Sequence, residues 1–166
     1  MDFAELYDRY FNKVYNYVRY HVRLAAEADD VTGRIFEAAL KGFGGFDQGR
    51  GPEQAWLFGI ARNAVIDWAR VRGRRGEVSL DDSPEPVSGE ERLDAALERK
   101  EEKALILEAV AGLDERARDI IALKFSSGMN NREIAKLTGL GESNVGIIIF
   151  RSVKKMQTEI EAKRKL

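Results

Sequence analysis

The 166 residues, 44% hydrophobic and 33% charged, suffice for one medium domain or two small ones and are too apolar for wholesale disorder. The longest uncharged runs, such as Val145 to Phe150, fall far short of the roughly 18 residues of a spanning helix, and the acidic, aromatic start MDFAELYDRYF is unlike a secretory signal, so a cytoplasmic protein without membrane insertion is expected. With no cysteine and His21 as the lone histidine, disulfides, thiolate or His-based metal sites and cysteine nucleophiles are excluded, and neither a cofactor nor an enzymatic reaction is expected.

The chain reads as all-α. Phe3, Leu6, Tyr7, Tyr10, Phe11, Val14, Val18 and Val22 recur at helical spacing and form the apolar stripe of a first helix. A second helix is expected from about Ala28 to Lys41, with Val31, Ile35, Phe36, Ala39 and Leu40 inward, stopping at Gly42-Phe43-Gly44-Gly45. A loop from Gly44 to Pro52 leads into a third, which carries Trp56, Ile60, Ala64 and Trp68 at intervals of four and ends before Gly73. The following stretch, rich in Pro, Gly, Ser and acidic residues, reads as a flexible linker over 75–92, which sets domains at 1–74 and 93–166.

In the second domain Ala96, Leu97, Leu105, Ile106, Ala109 and Val110 suggest one helix closed by Gly112. Asp114 offers an N-cap to the next, with Ala117, Ile120, Ile121, Leu123 and Phe125 inward and Gly128 at its end. The segment NREIAKLTGLGESNVGIIIFRSVKK then places Ala135, Gly139 and Val145 at the offsets of a helix-turn-helix. A small residue stands where the helices cross, a glycine in the turn and an apolar residue in the core. Asn130 or Asn131 can cap the first of its helices, and Gly141 occupies the cap of the second. At about 100° per residue, Ile148, Ile149, Ser152 and Met156 lie near Val145 on the core face. Ser143, Ile147, Phe150, Arg151 and Lys154 fall on the opposite face, a set suited to thymine methyls, guanine edges and phosphates. Packing of Ile147 and Phe150 on another helix is the alternative.

The net charge of −1 is unevenly divided. Residues 1–75 hold 12 Lys/Arg against 10 Asp/Glu, residues 76–103 hold 4 against 10, and residues 104–166 hold 11 against 8. An acidic middle separates two mildly basic ends. Charge clusters such as Arg62, Arg70, Arg72, Arg74 and Arg75, or Arg151, Lys154, Lys155, Lys163, Arg164 and Lys165, are often only solvated faces. Here they adjoin aromatic residues and a helix-turn-helix.

Over essentially its whole length the chain resembles the extracytoplasmic-function group of bacterial sigma factors. The pattern W-L-x-x-I-A-R-N-x-x-I-D-x-x-R is matched at Trp56, Leu57, Ile60, Ala61, Arg62, Asn63, Ile66, Asp67 and Arg70, and the second domain carries L-x-x-x-x-R-x-I-I-x-L from Leu113 to Leu123 with Glu133, Ile134 and Ala135 following. The resemblance implies that the C-terminal domain reads a −35 element as duplex, with Arg132 near a phosphate and Ser143, Asn144, Ile147, Phe150, Arg151 and Lys154 on the recognition helix. It implies that the first domain holds a melted −10 strand through Phe46, Trp56, Arg62, Asn63, Asp67 and Arg70. It further implies a second helix that anchors core RNA polymerase through Asp29, Asp30, Arg34 and Glu37, and a partner anti-sigma factor. The family commonly has a glutamine and an acidic residue where this chain has Gly33 and Arg34. With its near-neutral charge the free chain, expected to be monomeric, should bind DNA weakly on its own.

A stand-alone helix-turn-helix regulator would leave the Trp56 to Arg70 pattern unused, and a helical adaptor would leave Phe46, Asn63 and the basic clusters unused. A metal-dependent hydrolase built on Asp29 and Asp30 fails on geometry, because neighbouring carboxylates on a helix point about 100° apart.

Overall fold

A computed structural model describes residues 1–75 and 93–166, with side chains over 1–73 and 99–166. The expected linker at 75–92 therefore lies outside the described residues, apart from Arg75 at a helix end, as do the side chains of Ala96 and Leu97. The described residues form seven α-helices and no strand: α1 (Phe3–His21), α2 (Ala25–Gly42), α3 (Glu53–Arg75), α4 (Leu93–Ala111), α5 (Glu115–Ser127), α6 (Asn131–Thr138) and α7 (Glu142–Arg164). The all-α expectation holds.

Local chemistry explains most helix ends. A capping box opens α1, in which the Asp2 carboxylate accepts from the Glu5 N–H at 2.9 Å and the Glu5 carboxylate accepts from the Asp2 N–H at 3.1 Å. Helix α2 starts at Ala25, ahead of the expected Ala28, with Glu27 in its first turn to complement the helix dipole. The segment read as a loop holds two short 3-10 turns, Phe43–Gly45 and Gln48–Arg50. Helix α3 runs through Gly73 instead of stopping before it. One interior glycine costs only about 1 kcal/mol, and the last turns are tied down by Arg72, which pairs with Glu27 at 2.9 Å and lies over the Trp68 ring.

Asp114 caps α5 by accepting from the Ala117 N–H, and Asn130 caps α6 by accepting from the Glu133 N–H at 2.8 Å. Gly128 and Gly139 close α5 and α6 with φ of 77° and 79°. Both are left-handed positions that favour glycine, so the predicted turn of the helix-turn-helix is present as read.

Arg118 ties α5 to the end of α4. Its guanidinium donates to the carbonyls of Val110, Ala111 and Leu113 at 3.4, 3.0 and 2.9 Å, satisfying groups that a helix C-terminus leaves open. Charge-assisted bonds of this kind are worth about 1.5–3 kcal/mol. Arg118→Ala is accordingly expected to lower the unfolding free energy by about 2 kcal/mol, measured by urea denaturation.

Leu6, Val14, Tyr17 and Val18 of α1 with Val22 just after it, Val31 and Ile35 of α2, and Leu57, Phe58, Ala61 and Val65 of α3 are buried in one continuous core with Ile120 and Leu123 of α5, Ile134 of α6 and Val145 of α7. Thus the two halves share their largest apolar cluster. A smaller one, built from Ala109, Val110, Leu113, Ile121 and Met156, joins α4, α5 and α7.

Several inward assignments need correction. On α3 the stripe of Trp56, Ile60, Ala64 and Trp68 is half-buried against the core, while Leu57, Phe58, Ala61 and Val65 form the core itself, because α3 is gripped by α1 and α2 on that side. Leu40 is exposed because Ala39 takes the inward place on the last turn of α2. Phe125 is 56% exposed: it follows Ile121 by one turn but lies past the edge of the smaller cluster, in a shallow groove with Tyr20 and Ile106. Ile106 and Tyr7 are likewise exposed, with Leu107 and Leu6 buried beside them.

Candidate nucleic-acid interface

Helix α7 presents two unlike faces. Val145 is fully buried, with Ser152 and Met156 along the same side. Ser143, Asn144, Ile147, Phe150, Arg151 and Lys154 are all exposed. Phe150 is 65% exposed, so no helix of the described residues covers it. Its ring is instead steadied by the Lys154 ammonium, 5.4 Å from the ring centroid. Arg132, near the start of α6, is exposed as well. The result is a hydroxyl, an amide, two apolar groups and three cations on one open surface, which is the donor and methyl-contact chemistry of major-groove readout.

The candidate groups on α3 and the preceding turns divide into three kinds. Phe46 stacks obliquely on Trp56, with ring centroids 4.9 Å apart, and the Phe43 ring lies 6.5 Å from Trp56. Two of the six residues expected to hold the melted strand are thereby brought together as one half-buried aromatic platform. Asn63, Asp67 and Arg70 are exposed, with Arg70 loosely paired to Asp67 at 3.8 Å. Arg62 is engaged elsewhere. Its Nε donates to the Asp119 carboxylate at 2.9 Å and its Nη1 to the Leu137 carbonyl at 3.0 Å, so it points at α5 and the end of α6.

Asp119 is the centre of that contact. The Tyr17 hydroxyl donates to its other carboxylate oxygen at 2.6 Å, and the His21 Nε2 lies 3.6 Å from the same oxygen. Burial pushes the Asp119 carboxyl up, but His21, the Tyr17 hydroxyl and the Arg62 charge outweigh this and hold it below its ordinary value. Burial, reinforced by the Asp119 charge, raises Tyr17 well above the usual phenol range, so its hydroxyl stays a donor. Beside the contact runs an open groove of about 560 Å³ lined by Arg62, Trp68 and Arg70 from α3 and by Arg116, Arg118 and Leu140 from the other half. A further tie links the Gln54 side-chain amide to the Ser127 carbonyl.

On α2, Asp29, Asp30, Arg34 and Glu37 are all exposed, and Glu37 pairs with Lys41 at 3.2 Å. They share one open helix surface. Nothing stands within 4 Å of a side chain placed at Gly33, so that glycine is not required by packing.

The sequence reading missed Tyr17 and Asp119 and gave His21 no role. Tyr17 and His21 sit four apart on α1, which puts them on one face, but no spacing pairs them with a carboxylate about a hundred residues later. Among the described residues, no group of three or more His, Asp or Glu is placed to hold a metal ion, and no helix is long and apolar enough to cross a membrane.

Residues 6–75 match sigma-70 region 2 and residues 103–156 match sigma-70 region 4. The chain is 32% identical to the ECF RNA polymerase sigma factor BldN of Streptomyces coelicolor over 92% of its own length and 58% of that protein's. It is 30% identical to the ECF RNA polymerase sigma factor SigL of Mycobacterium tuberculosis, covering 86% of this chain and 81% of that one. Among solved structures it is similar to CnrH in complex with the cytosolic domain of CnrY, with a TM-score of 0.70 and 26% identity over 96% of this chain and 88% of the other.

Proposed function

From the chain's membership of the extracytoplasmic-function sigma factors, we propose how its two halves share the work of reading a promoter. The protein is an alternative sigma factor: it binds core RNA polymerase and directs promoter-specific initiation, and it is not itself an enzyme. The division of labour falls on the halves 1–74 and 93–166. Helix α7 enters the major groove of the −35 element with Ser143, Asn144, Ile147, Phe150, Arg151 and Lys154 toward the bases and backbone, while Arg132 meets a phosphate. The observation that carries this is the open face of α7, where Ile147 and Phe150 stay exposed among cations while Val145 behind them is fully buried.

The −10 element is held as single strand on α3 and the turns before it. The Phe46–Trp56 platform offers a stacking surface, worth about 1–3 kcal/mol per base. Asn63 and Asp67 present hydrogen-bonding groups to unpaired base edges, and Arg62 and Arg70 supply phosphate contacts. Asp29, Asp30, Arg34 and Glu37 of α2 form the polymerase anchor, and the protein acts in the cytoplasm, where polymerase and promoters are. A protein partner, an anti-sigma factor in this reading, fits the likeness to CnrH, which was solved in complex with the cytosolic domain of CnrY. With no cysteine in the chain, any redox signal reaches it through such a partner.

The anchor is tested by gel filtration of the chain with core RNA polymerase, alongside Arg34→Glu. Stoichiometric co-elution is expected, and it should persist to higher salt in the variant, because the charge reversal restores an acid where relatives carry one. A natively helical chain that never co-elutes, in either form, contradicts the reading.

A further inference from the structure

The Phe46–Trp56 platform of the proposed −10 surface spans two elements, since Phe46 closes the first 3-10 turn and Trp56 lies in the first turn of α3. Bonds inside the intervening turns are local. The Phe46 N–H donates to the Phe43 carbonyl, the Arg50 N–H to the Asp47 carbonyl and the Gly49 N–H to the Asp47 carboxylate. They shape each turn without fixing it against α3. Between the turns and the helix stands Gly51, with a φ of 150° that favours glycine, and then Pro52, which has no N–H to contribute.

Helix α1 grips this segment at both ends. Where the chain leaves α2, Phe3 meets Phe43 edge to face with 5.7 Å between ring centroids. Where it enters α3, Oε1 of Glu53 accepts from Arg9 Nη1 at 2.6 Å and from the Tyr10 hydroxyl at 2.8 Å. The Glu53 side chain is 17% exposed and Tyr10 is buried, so solvent screens this tie less than a surface ion pair. Burial, and after it the Glu53 carboxylate, raises Tyr10 above the usual phenol value, so its hydroxyl stays a donor. Glu53 is also the first residue of α3, where negative charge complements the helix dipole. Trp56 follows three residues later, which makes the two neighbours on the helix surface.

We propose that Glu53, held by Arg9 and Tyr10, is a positioning residue of the −10 platform: it pins the first turn of α3 to α1 and so fixes where Trp56 meets Phe46 when a melted base stacks there. The role rests on the −10 reading of the platform. Glu53 acts through Trp56 and not on the strand, because its charge is unsuited to a phosphate and one of its oxygens already has two donors. Without the tie, the start of α3 is left to fray at the Gly51–Pro52 junction. Stacking must then order the tryptophan as well as the base, and the advantage of a preorganised surface is lost.

Opening is followed on holoenzyme reconstituted with saturating full-length chain, by permanganate reactivity of thymines in the −10 element of a promoter that the wild-type protein opens. Glu53→Ala should slow the appearance of reactive thymines about tenfold, the scale of one lost charge-assisted bond. Tyr10→Phe should slow it by a smaller factor, and Glu53→Gln, which can still accept from Tyr10, should recover part of the loss. Affinity for core polymerase and preference among −35 variants should stay at wild-type values in all three, a split that general destabilisation does not produce. In a Trp68→Phe background, where Trp56 is the sole tryptophan, Glu53→Ala should expose its fluorescence to acrylamide quenching. Tyr10→Phe and Glu53→Gln decide alone if Glu53→Ala loses its helical spectrum. Natively helical variants that open the promoter at the wild-type rate overturn the positioning role, while Phe46→Ala and Trp56→Ala that slow opening leave the platform itself intact. If those two have no effect either, the platform reading fails along with it. Loss of polymerase affinity and −35 preference in step with opening makes Glu53 a general fold residue and also overturns the role. A wild-type chain that opens no promoter removes the sigma reading and the role of Glu53 together.

Discussion

Arg151→Ala in the reconstituted holoenzyme is expected to cut transcription from a promoter that depends on its −35 element by about 5- to 150-fold, the value of roughly 1–3 kcal/mol for one good forked contact to a base. Arg151 stands on the open face of α7 one turn after Ile147, with no acidic side chain among the exposed set of that face to occupy it. Lys154 should behave differently. Its ammonium is a compact charge over the Phe150 ring, suited to phosphate, so Lys154→Ala should weaken binding uniformly across promoter sequences and lower the slope of log affinity against log salt by about 1. Transcription assays over a panel of −35 variants at two salt concentrations separate the roles. A uniform loss for Arg151→Ala, or sequence-selective loss for Lys154→Ala, would reverse the assignment.

Phe58→Ala is expected to destabilise the whole described fold by about 3–5 kcal/mol, a large share of the roughly 5–15 kcal/mol that holds a domain together. Phe58 is fully buried, packs edge to face on Tyr17 at 5.6 Å, and belongs to the cluster that also contains Ile120, Ile134 and Val145. The cavity left by its ring would be bordered by side chains from both halves. Because the core is shared, urea unfolding of the wild-type protein should give coincident transitions by tryptophan fluorescence and by helical circular dichroism. Trp56 and Trp68 flank Phe58 on α3 and report the first half. A variant that loses less than about 1 kcal/mol would mean that the two halves do not depend on this ring.

How far the sequence could be read depends on the range of the interaction concerned. The caps at Asp114 and Asn130, the left-handed stops at Gly128 and Gly139, and the buried Val145 with its exposed opposite face are consequences of residues within a turn or two of one another. Spacing alone resolves them. Spacing puts Trp56, Ile60, Ala64 and Trp68 on one side of α3 but does not say how deeply that side is buried, which is decided by where α1 and α2 lie. Gly73 favours a helix stop by local propensity, but α3 continues through it, with Arg72 paired to Glu27 from another helix. Phe125 followed the helical period faithfully and still faces outward, since no neighbour extends that far.

The candidate interface divides along the same line. The exposed residues of α7 and α2 were legible from helical phase, and the resemblance supplied what they face. The pairing of Phe46 with Trp56 required the two 3-10 turns to fold the loop back, which no periodicity encodes. The engagement of Arg62 by Asp119 was invisible for a stronger reason: it joins residues 57 apart that lie in different halves of the chain.

The central claim is tested most directly by run-off transcription with purified core RNA polymerase, comparing core alone with core plus this chain on a library of random promoter fragments. The account predicts discrete start sites that appear only when the chain is present, preceded by two shared sequence elements, with the upstream one altered in its preference by Ile147→Ala or Phe150→Ala. Core polymerase that gains no promoter-specific transcript from a natively helical chain would contradict it.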